Sequence, residues 1–595
     1  MSFVYHLLKR VSSGNCFGVF PLIFLFASLA PGGNSPFGTN FAAAEEARGA
    51  DAPESGTQAA PEFQDRWFYA SFGLRSDEEV EEMIQLLRDA ESVGLNGMLW
   101  ACGIERCGSW SDVTKERFSR IKTAADDAGV EIIPILWSVG YGTMLAKNAN
   151  LVEALPIKNL QVVARNGGVE EISDSENVQI INGDFEDFRD GKFIGYGFHD
   201  KPGTISFRDT EVKHGGESSI RLENFGADKH GHGRVFQRLK VVPHRNYQIK
   251  LWYKTEGLAK RNVFRVQIYG KNGGLSSSFP AVPEDGTQDW KMTTLSFTTY
   301  EETEILFYVG IWDGTDGTLW LDDMTIEAKN MTAPVQRPGT PLVVKNAKTG
   351  EIYEQGNDFV PEVFRMRDFK NGVQKSPIRI PEGSRIEEGC ALELSFYVPA
   401  LTIKGQASTC MSEPELYEGF EESAAQIMAL LAPKKWFLSM DEIRAANTCK
   451  ACEDRNEPLG NILGECITRQ YEIIQKVRPG AQVYIWSDML DPNHNCHADY
   501  MRCRGDFSGV WDRIPKELII SCWYHKKREE SMAFFSQHGF RTQAAAYYDV
   551  DTLETSREWL DVCRRTPNCT GIMYTTWRHR YELLKDFGRM LQEKR

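Results

Sequence analysis

From residue 66 onward, short apolar runs alternate with amphipathic stretches. RWFYASF reads as a strand. A helical pattern follows, opening at Ser76-Asp77-Glu78-Glu79, with Val80, Met83, Ile84, Leu87 and Ala90 recurring on one face. Ser76 and Glu79 have the spacing of a capping box. GLNGMLWACG gives a second strand, a helix from about Thr114 to Ala128 turns Phe118, Ile121 and Ala125 inward, and GVEIIPILWSVG gives the third strand. Each strand is a nearly continuous hydrophobic run, as required when both faces of a parallel sheet are covered.

The alternation stops for roughly 270 residues and resumes with a helix from about Pro414 to Leu431. WFLSMDE, AQVYIWSDML, ELIISCWYH, FRTQAAAYYD and TGIMYTTW then supply strands four to eight. Eight strand–helix units predict an α/β fold, a (β/α)8 TIM barrel interrupted after strand 3. Its two parts are expected at 64–145 and 410–595. No Gly-rich phosphate loop follows the first strand, which disfavours a doubly wound sheet.

Within the interruption the period changes. SIRLENF, NYQIKLWYKTE, VFRVQIYG, KMTTLSFTT, EILFYVGIW and TLWLDDMTIE alternate polar and apolar residues, predicting an antiparallel β-sandwich at 177–330. A small β-domain is expected at 338–400, where short strands are separated by Lys-Thr-Gly and Glu-Gly turns. At the N-terminus, Lys9 and Arg10 precede the apolar stretch from Phe17 to Ala30. This reads as an export signal over 1–30, or an uncleaved anchor, with a disordered linker over 31–63. The localisation expected is therefore periplasmic, cell-surface or secreted.

A net charge of −15 argues against nucleic acid or anionic lipid as the main partner. No protein partner is predicted. Twelve of the thirteen cysteines follow the expected signal, and in an exported chain they are expected to be disulfides or free thiols. Cys449 and Cys452 have metal-ligand spacing, but a zinc site needs a second pair, for which only His494 and His497 are near in sequence. In the sandwich, Asn182, Asp184, Glu186, Asp322 and Asp323 are oxygen ligands at the two chain ends and are candidates for a structural calcium. No cofactor is expected for catalysis.

The chemistry concentrates at strand ends. Asp441 and Glu442 follow the fourth strand, where a parallel barrel carries its catalytic carboxylates. Trp100 and Trp137 follow strands two and three, and Trp486 and Asp488 follow strand five. Trp523 and His525 close strand six, Tyr547, Tyr548, Asp549 and Asp551 strand seven, and Tyr574 and Trp577 strand eight. Tryptophans ringing one face with acids between them predict a sugar pocket. Cleaving a glycosidic bond needs a carboxylic acid to protonate the leaving oxygen and a second group to stabilise or trap the anomeric cation.

These segments resemble the family-20 glycoside hydrolases, the β-N-acetylhexosaminidases. GLNGMLW is similar to their second-strand segment, WFLSMDE to their fourth-strand Asp-Glu motif, and YIWSDM, SCWYH and MYTTW to their tryptophan-bearing strands. Phe437, Ser439 and Met440 stand where that motif has His and two Gly residues. The sandwich, with its NVQIINGDFED and LWLDDMTIE edges, resembles CenC-type carbohydrate-binding modules, in which Trp252, Trp290, Tyr308 and Trp312 would be stacking candidates. The resemblance implies that Glu442 is the general acid/base and that Asp441 orients the substrate's 2-acetamido group, whose carbonyl oxygen is the nucleophile. Tyr548 or Tyr547 would donate to that carbonyl, and Trp486, Trp523 and Trp577 would wall the subsite.

The expected function is thus a retaining glycoside hydrolase acting on a polysaccharide or glycoconjugate. One alternative uses Asp549 or Asp551 as the nucleophile on non-acetylated sugars. The other is a non-catalytic glycan-binding protein built on a decayed barrel.

Overall fold

A computed structural model describes residues 63–172, 178–198, 200–259, 262–271 and 273–593. The expected export signal, and the linker up to residue 62, lie outside the described residues. Among the described residues no helix is long and apolar enough to cross a membrane.

Eight parallel strands close into a barrel in chain order. They are β1 (Asp65–Ala70), β2 (Gly97–Trp100), β3 (Glu131–Leu136), β4 (Lys435–Leu438), β5 (Gln482–Trp486), β6 (Ile519–Cys522), β7 (Arg541–Ala545) and β8 (Cys569–Tyr574). Closure is the parallel pairing of β8 with β1, in register from Asp65 opposite Gly571 to Phe68 opposite Tyr574. The helices include α1 (Asp77–Glu91), α2 (Asp112–Asp127), α3 (Pro414–Leu430), α4 (Leu459–Val477), α5 (Arg528–Gln537), α6 (Glu554–Arg565) and α7 (Leu584–Gln592). Ser76 caps α1 by accepting the Glu79 N–H at 3.3 Å, but the Glu79 carboxylate takes the Arg75 N–H instead of closing the box.

Alternation along the strands divides their side chains between two cores. Trp67, Tyr69, Leu99, Phe437, Tyr484, Trp486 and Met573 fill the barrel interior. Their neighbours Phe68, Trp100, Trp436, Leu438, Val483, Ile485, Ile572 and Tyr574 pack outward under the helices. Both faces are therefore dry, which is why the strands read as unbroken apolar runs. The interior floor carries a polar group: buried Asp65 accepts from Lys435 Nζ at 3.0 Å and from the Tyr484 hydroxyl at 2.8 Å.

The interruption lies between β3 and α3, and it is nested. A four-stranded sheet takes Ala154–Arg165 and Gly168–Glu171 from before the sandwich, and Val343–Asn346 and Ala391–Pro399 from after it. The small domain expected at 338–400 is therefore completed by strands from before the sandwich, since Ala391–Pro399 finds its partner in Ala154–Arg165. The sandwich consists of two antiparallel five-stranded sheets around its own core. It docks on the barrel through Arg502, which follows β5 and donates to the carbonyls of Thr298 and Leu401.

Candidate active site

Asp441 and Glu442 lie beyond the C-terminal end of β4, 5% and 4% exposed. Two backbone features place them. Glu442 adopts a left-handed φ of 48°, which costs a non-glycine residue roughly 1–2 kcal/mol. Gly140, after β3, approaches so closely that a Cβ there would stand 2.3 Å from the Asp441 carbonyl oxygen. The same turn delivers Tyr141, whose hydroxyl donates to Glu442 Oε2.

The two acids have different surroundings. Glu442 Oε2 also pairs with Arg444 Nη2 at 2.5 Å. Arg444 in turn donates to Gln406 Oε1, and the Gln406 amide donates to the carbonyl oxygens of Gly140, at 2.7 Å, and of Glu442. Among the described residues Asp441 pairs with no cation; its Oδ1 accepts from the Ser439 hydroxyl at 2.8 Å. Burial first, then the charges of Asp488 and Glu442, push the Asp441 carboxyl up to about 8. Desolvation disfavours its charged form, and the neighbouring carboxylates add to that.

Asp488, fully buried after β5, braces the pair. Its Oδ2 accepts the Glu442 N–H at 2.9 Å and the Asn495 side-chain amide at 3.0 Å, and its Oδ1 faces Trp523 Nε1 at 3.4 Å. Burial raises its carboxyl as well.

Aromatic rings pack beside the acids. Trp523 stacks on Tyr548 with centroids 6.0 Å apart and planes within 10°. Trp577 contacts Trp486, Tyr69 and Tyr548. Among the described residues the buried Tyr548 hydroxyl has no acceptor for its proton, and the buried Trp577 Nε1 beside it can only donate. Burial raises the Tyr548 hydroxyl well above its ordinary value, and the charge on Glu442 adds to this.

The structure thus brings together Asp441, Glu442, Trp486, Asp488, Trp523, Tyr548 and Trp577. It does not bring the others. Trp100 stacks on Phe118 of α2, outside the barrel, and donates to the Phe72 carbonyl. Trp137 would face inward by alternation, but its φ of 57° turns it outward, where it donates to Ser423 of α3. Tyr547 and Tyr574 stack on each other in the outer core, their hydroxyls spent on the carbonyls of Val550 and Arg580. His525 turns to Glu558 of α6 at 2.7 Å.

The seventh-strand acids are also engaged. Asp549 accepts from the Thr576 hydroxyl and the N–H groups of Trp577 and Arg578, tying the β7 loop to the β8 loop. Asp551 is exposed and pairs with Arg580 at 2.8 Å. Tyr141, Arg444, Gln406 and Asn495 were not singled out from the sequence. Only Arg444, two residues past Glu442, carried a local signal.

In the sandwich, Glu186 accepts the N–H groups of Glu217 and Ser218, and Asp322 those of His214 and Gly215. Asp323 contacts the His214 ring at 2.6 Å. These acids hold the 214–218 turn, and with Asp184 they form no close-set group of metal-ligating side chains among the described residues. His214 stacks on Trp252 at 3.9 Å and meets Trp290 edge-on, leaving a half-buried aromatic surface. Trp312 lies in the module beneath Arg234 and Arg265.

No protein-family model matches the chain, and no curated protein matches it. Among solved structures it is similar to the Flavobacterium johnsoniae chitobiase FjGH20, at 9% identity and a TM-score of 0.35, over 89% of this chain and 48% of that one. The chain thus spans about half the length of that chitobiase. It is similar to the GH20 exo-β-N-acetylglucosaminidase of Vibrio harveyi at 14% identity and a TM-score of 0.22, over 31% of this chain and 32% of that one. A quarter of the chain is similar to 96% of TmCBM61, solved with β-1,4-galactotriose, at 15% identity and a TM-score of 0.20. The structural neighbours of the chain therefore include family-20 chitobiases and carbohydrate-binding modules, while the closed eight-stranded barrel and its nested β-domains define the fold by their own strand order.

Proposed function

We propose that the chain is an exported glycoside hydrolase acting on a polysaccharide or glycoconjugate, with retention assisted by a 2-acetamido group of the substrate. The observation that carries this reading is the Tyr548 hydroxyl, buried with no acceptor among the described residues in the same aromatic enclosure as two buried carboxyls. A buried donor with no acceptor is costly unless a ligand oxygen completes it. In this reading Tyr548 donates to the acetamido carbonyl as its oxygen attacks the anomeric carbon. Glu442 protonates the leaving oxygen, and Asp441 accepts the acetamido N–H. The engagement of Asp549 with the β8 loop and the exposure of Asp551 speak against a seventh-strand nucleophile. The sandwich presents its aromatic surface to the same class of polymer.

A second reading exchanges the two acids. Burial keeps the proton on Asp441 up to about pH 8, while Glu442 is ion-paired to Arg444. Asp441 would then be the proton donor.

The discriminating experiment is the pH profile of aryl N-acetylglucosaminide and aryl glucoside hydrolysis by the wild type, Asp441→Asn and Glu442→Gln. If Asp441 must ionise to accept the acetamido N–H while Glu442 holds the proton it donates, activity is confined between those two ionisations and rises on its acid side near pH 8, where Asp441 loses its proton. If Asp441 is the donor, activity falls there. Efficient turnover of glucosides lacking the acetamido group removes substrate assistance. No turnover across a broad panel, with glycan binding retained, leaves only the scaffold function.

A further inference from the structure

We infer that Glu153, Cys410, Cys449 and Cys452 form a structural zinc site. Among the described residues these four make one close-set group, with candidate ligand atoms within 4.8 Å of one another. All four are buried: Cys410 and Cys449 are 0% exposed, Glu153 1% and Cys452 2%. The Sγ–Sγ separations are 3.6 Å for Cys410–Cys449, 3.6 Å for Cys410–Cys452 and 3.8 Å for Cys449–Cys452. The Glu153 Oε2 atom is 4.0 Å from Cys452 Sγ.

These distances decide between the chemistries open to three clustered thiols. A disulfide needs sulfurs about 2.05 Å apart, and a three-sulfur cluster always leaves one over. Ligands about 2.3 Å from a central ion stand about 3.8 Å apart at the corners of a tetrahedron. The three sulfurs match that edge, and the carboxylate oxygen takes the fourth corner. Soft thiolates with one hard oxygen in a closed tetrahedral set select zinc over calcium or magnesium.

The surrounding groups orient these ligands as metal ligands are usually oriented. The other Glu153 oxygen, Oε1, accepts the Thr448 N–H at 2.9 Å, the Thr448 hydroxyl at 2.7 Å and the Cys449 N–H at 3.1 Å. Oε2 is thereby left facing the sulfurs. Arg337 lies beside Cys449 Sγ, its Nη1 at 3.6 Å, and offsets part of the negative charge of three thiolates and a carboxylate.

The ligands come from three chain segments. Glu153 opens the small-domain sheet, Cys410 is on the return from that domain to α3, and Cys449 and Cys452 follow β4 on the loop that begins at Asp441 and Glu442. A bound zinc would staple the nested insertion onto the loop carrying the candidate catalytic pair. The pair expected from the sequence, His494 and His497, is elsewhere. His494 stacks on Tyr524, and His497 is turned to the Ala498 carbonyl. Of the disulfides or free thiols expected of an exported chain, the twelve described cysteines are free thiols.

The test is metal analysis of the full chain after loading with zinc and extensive dialysis, beside cobalt substitution of the same protein. About one zinc per chain is expected, because a closed thiolate site retains its metal at neutral pH. The cobalt form should show thiolate-to-cobalt charge-transfer absorption. Cys410→Ser and Cys449→Ser should lose the metal, and Cys102→Ser, outside the cluster, should keep it. If the cluster variants fail to fold, the stoichiometry and cobalt spectrum of the wild type still decide. A wild type that holds no zinc, a cobalt spectrum without thiolate bands, or a non-reducing peptide map linking any two of Cys410, Cys449 and Cys452 would overturn the assignment.

Discussion

The Asp488 carboxylate accepts the backbone N–H of Glu442 at 2.9 Å, so a side chain from the β5 loop fixes the main chain of the β4 loop. Glu442 needs this support because its φ of 48° lies in the left-handed region. Asp488→Ala leaves that N–H and the Asn495 amide without their acceptor, and leaving a buried group unsatisfied costs about 1–3 kcal/mol. Asp488→Asn keeps an acceptor oxygen and should lose less. Denaturant unfolding of the two variants checks the order, and equal losses would show that the carboxylate does not brace the loop.

Glu442→Gln and Asp441→Asn should separate by leaving group. Removing the proton donor slows substrates with poor leaving groups far more than activated aryl glycosides, because general acid catalysis contributes about 10²–10⁴-fold where protonation is needed. The variant with the steeper dependence on leaving-group acidity identifies the donor. Parallel losses in both variants would argue against either acting alone.

Stability should fall with rising pH through neutrality. The Asp441 carboxyl is raised to about 8 in the folded chain, against roughly 3.9 when unfolded. The folded state therefore holds a proton that the unfolded state has lost. This stability is fully present below the unfolded value and disappears as pH rises through the folded one. Asp441→Asn should flatten unfolding midpoints measured between pH 5 and 9, and an unchanged slope would show that Asp441 does not hold the proton.

Tyr548→Phe should leave stability unchanged or raise it, since it removes a buried hydroxyl that has no acceptor among the described residues. Hydrolysis of N-acetylglucosaminides should fall by an order of magnitude or more, as expected when one preorganised donor to a developing charge is lost. Lowered stability with unchanged turnover would place the hydroxyl in the structure instead of the chemistry.

Gly140→Ala tests the close approach of the β3 loop. Its Cβ would stand 2.3 Å from the Asp441 carbonyl oxygen, and overpacking of this kind typically costs about 1–3 kcal/mol. Activity should fall together with thermal stability. A fully active, fully stable variant would show that the turn carrying Tyr141 does not need this contact.

The barrel was legible in the sequence because its strands are dry on both faces, which forces continuous apolar runs, while α1 and α2 carry amphipathic faces and Ser76 marks the start of α1. The placement of Asp441 and Glu442 followed from that count of strands. Which aromatic residues reach the barrel interior did not follow. Alternation turns Trp100 and Tyr574 outward and Trp486 inward, but one left-handed residue reverses the rule at Trp137.

Local pattern therefore determined the eight strands, the interruption and the acid pair, since each depends on residues close together in the chain. Apart from Arg444, two residues along the same loop, the contacts of that pair depended on tertiary structure. Tyr141, Gln406 and Asp488 meet at Glu442 from three separate chain segments, and Glu153 meets Cys410 and Cys449 across the nested insertion. Barrel closure and the pairing of Ala154–Arg165 with Ala391–Pro399 bring these loops together, and no spacing in the sequence encodes contacts made between loops on different strands.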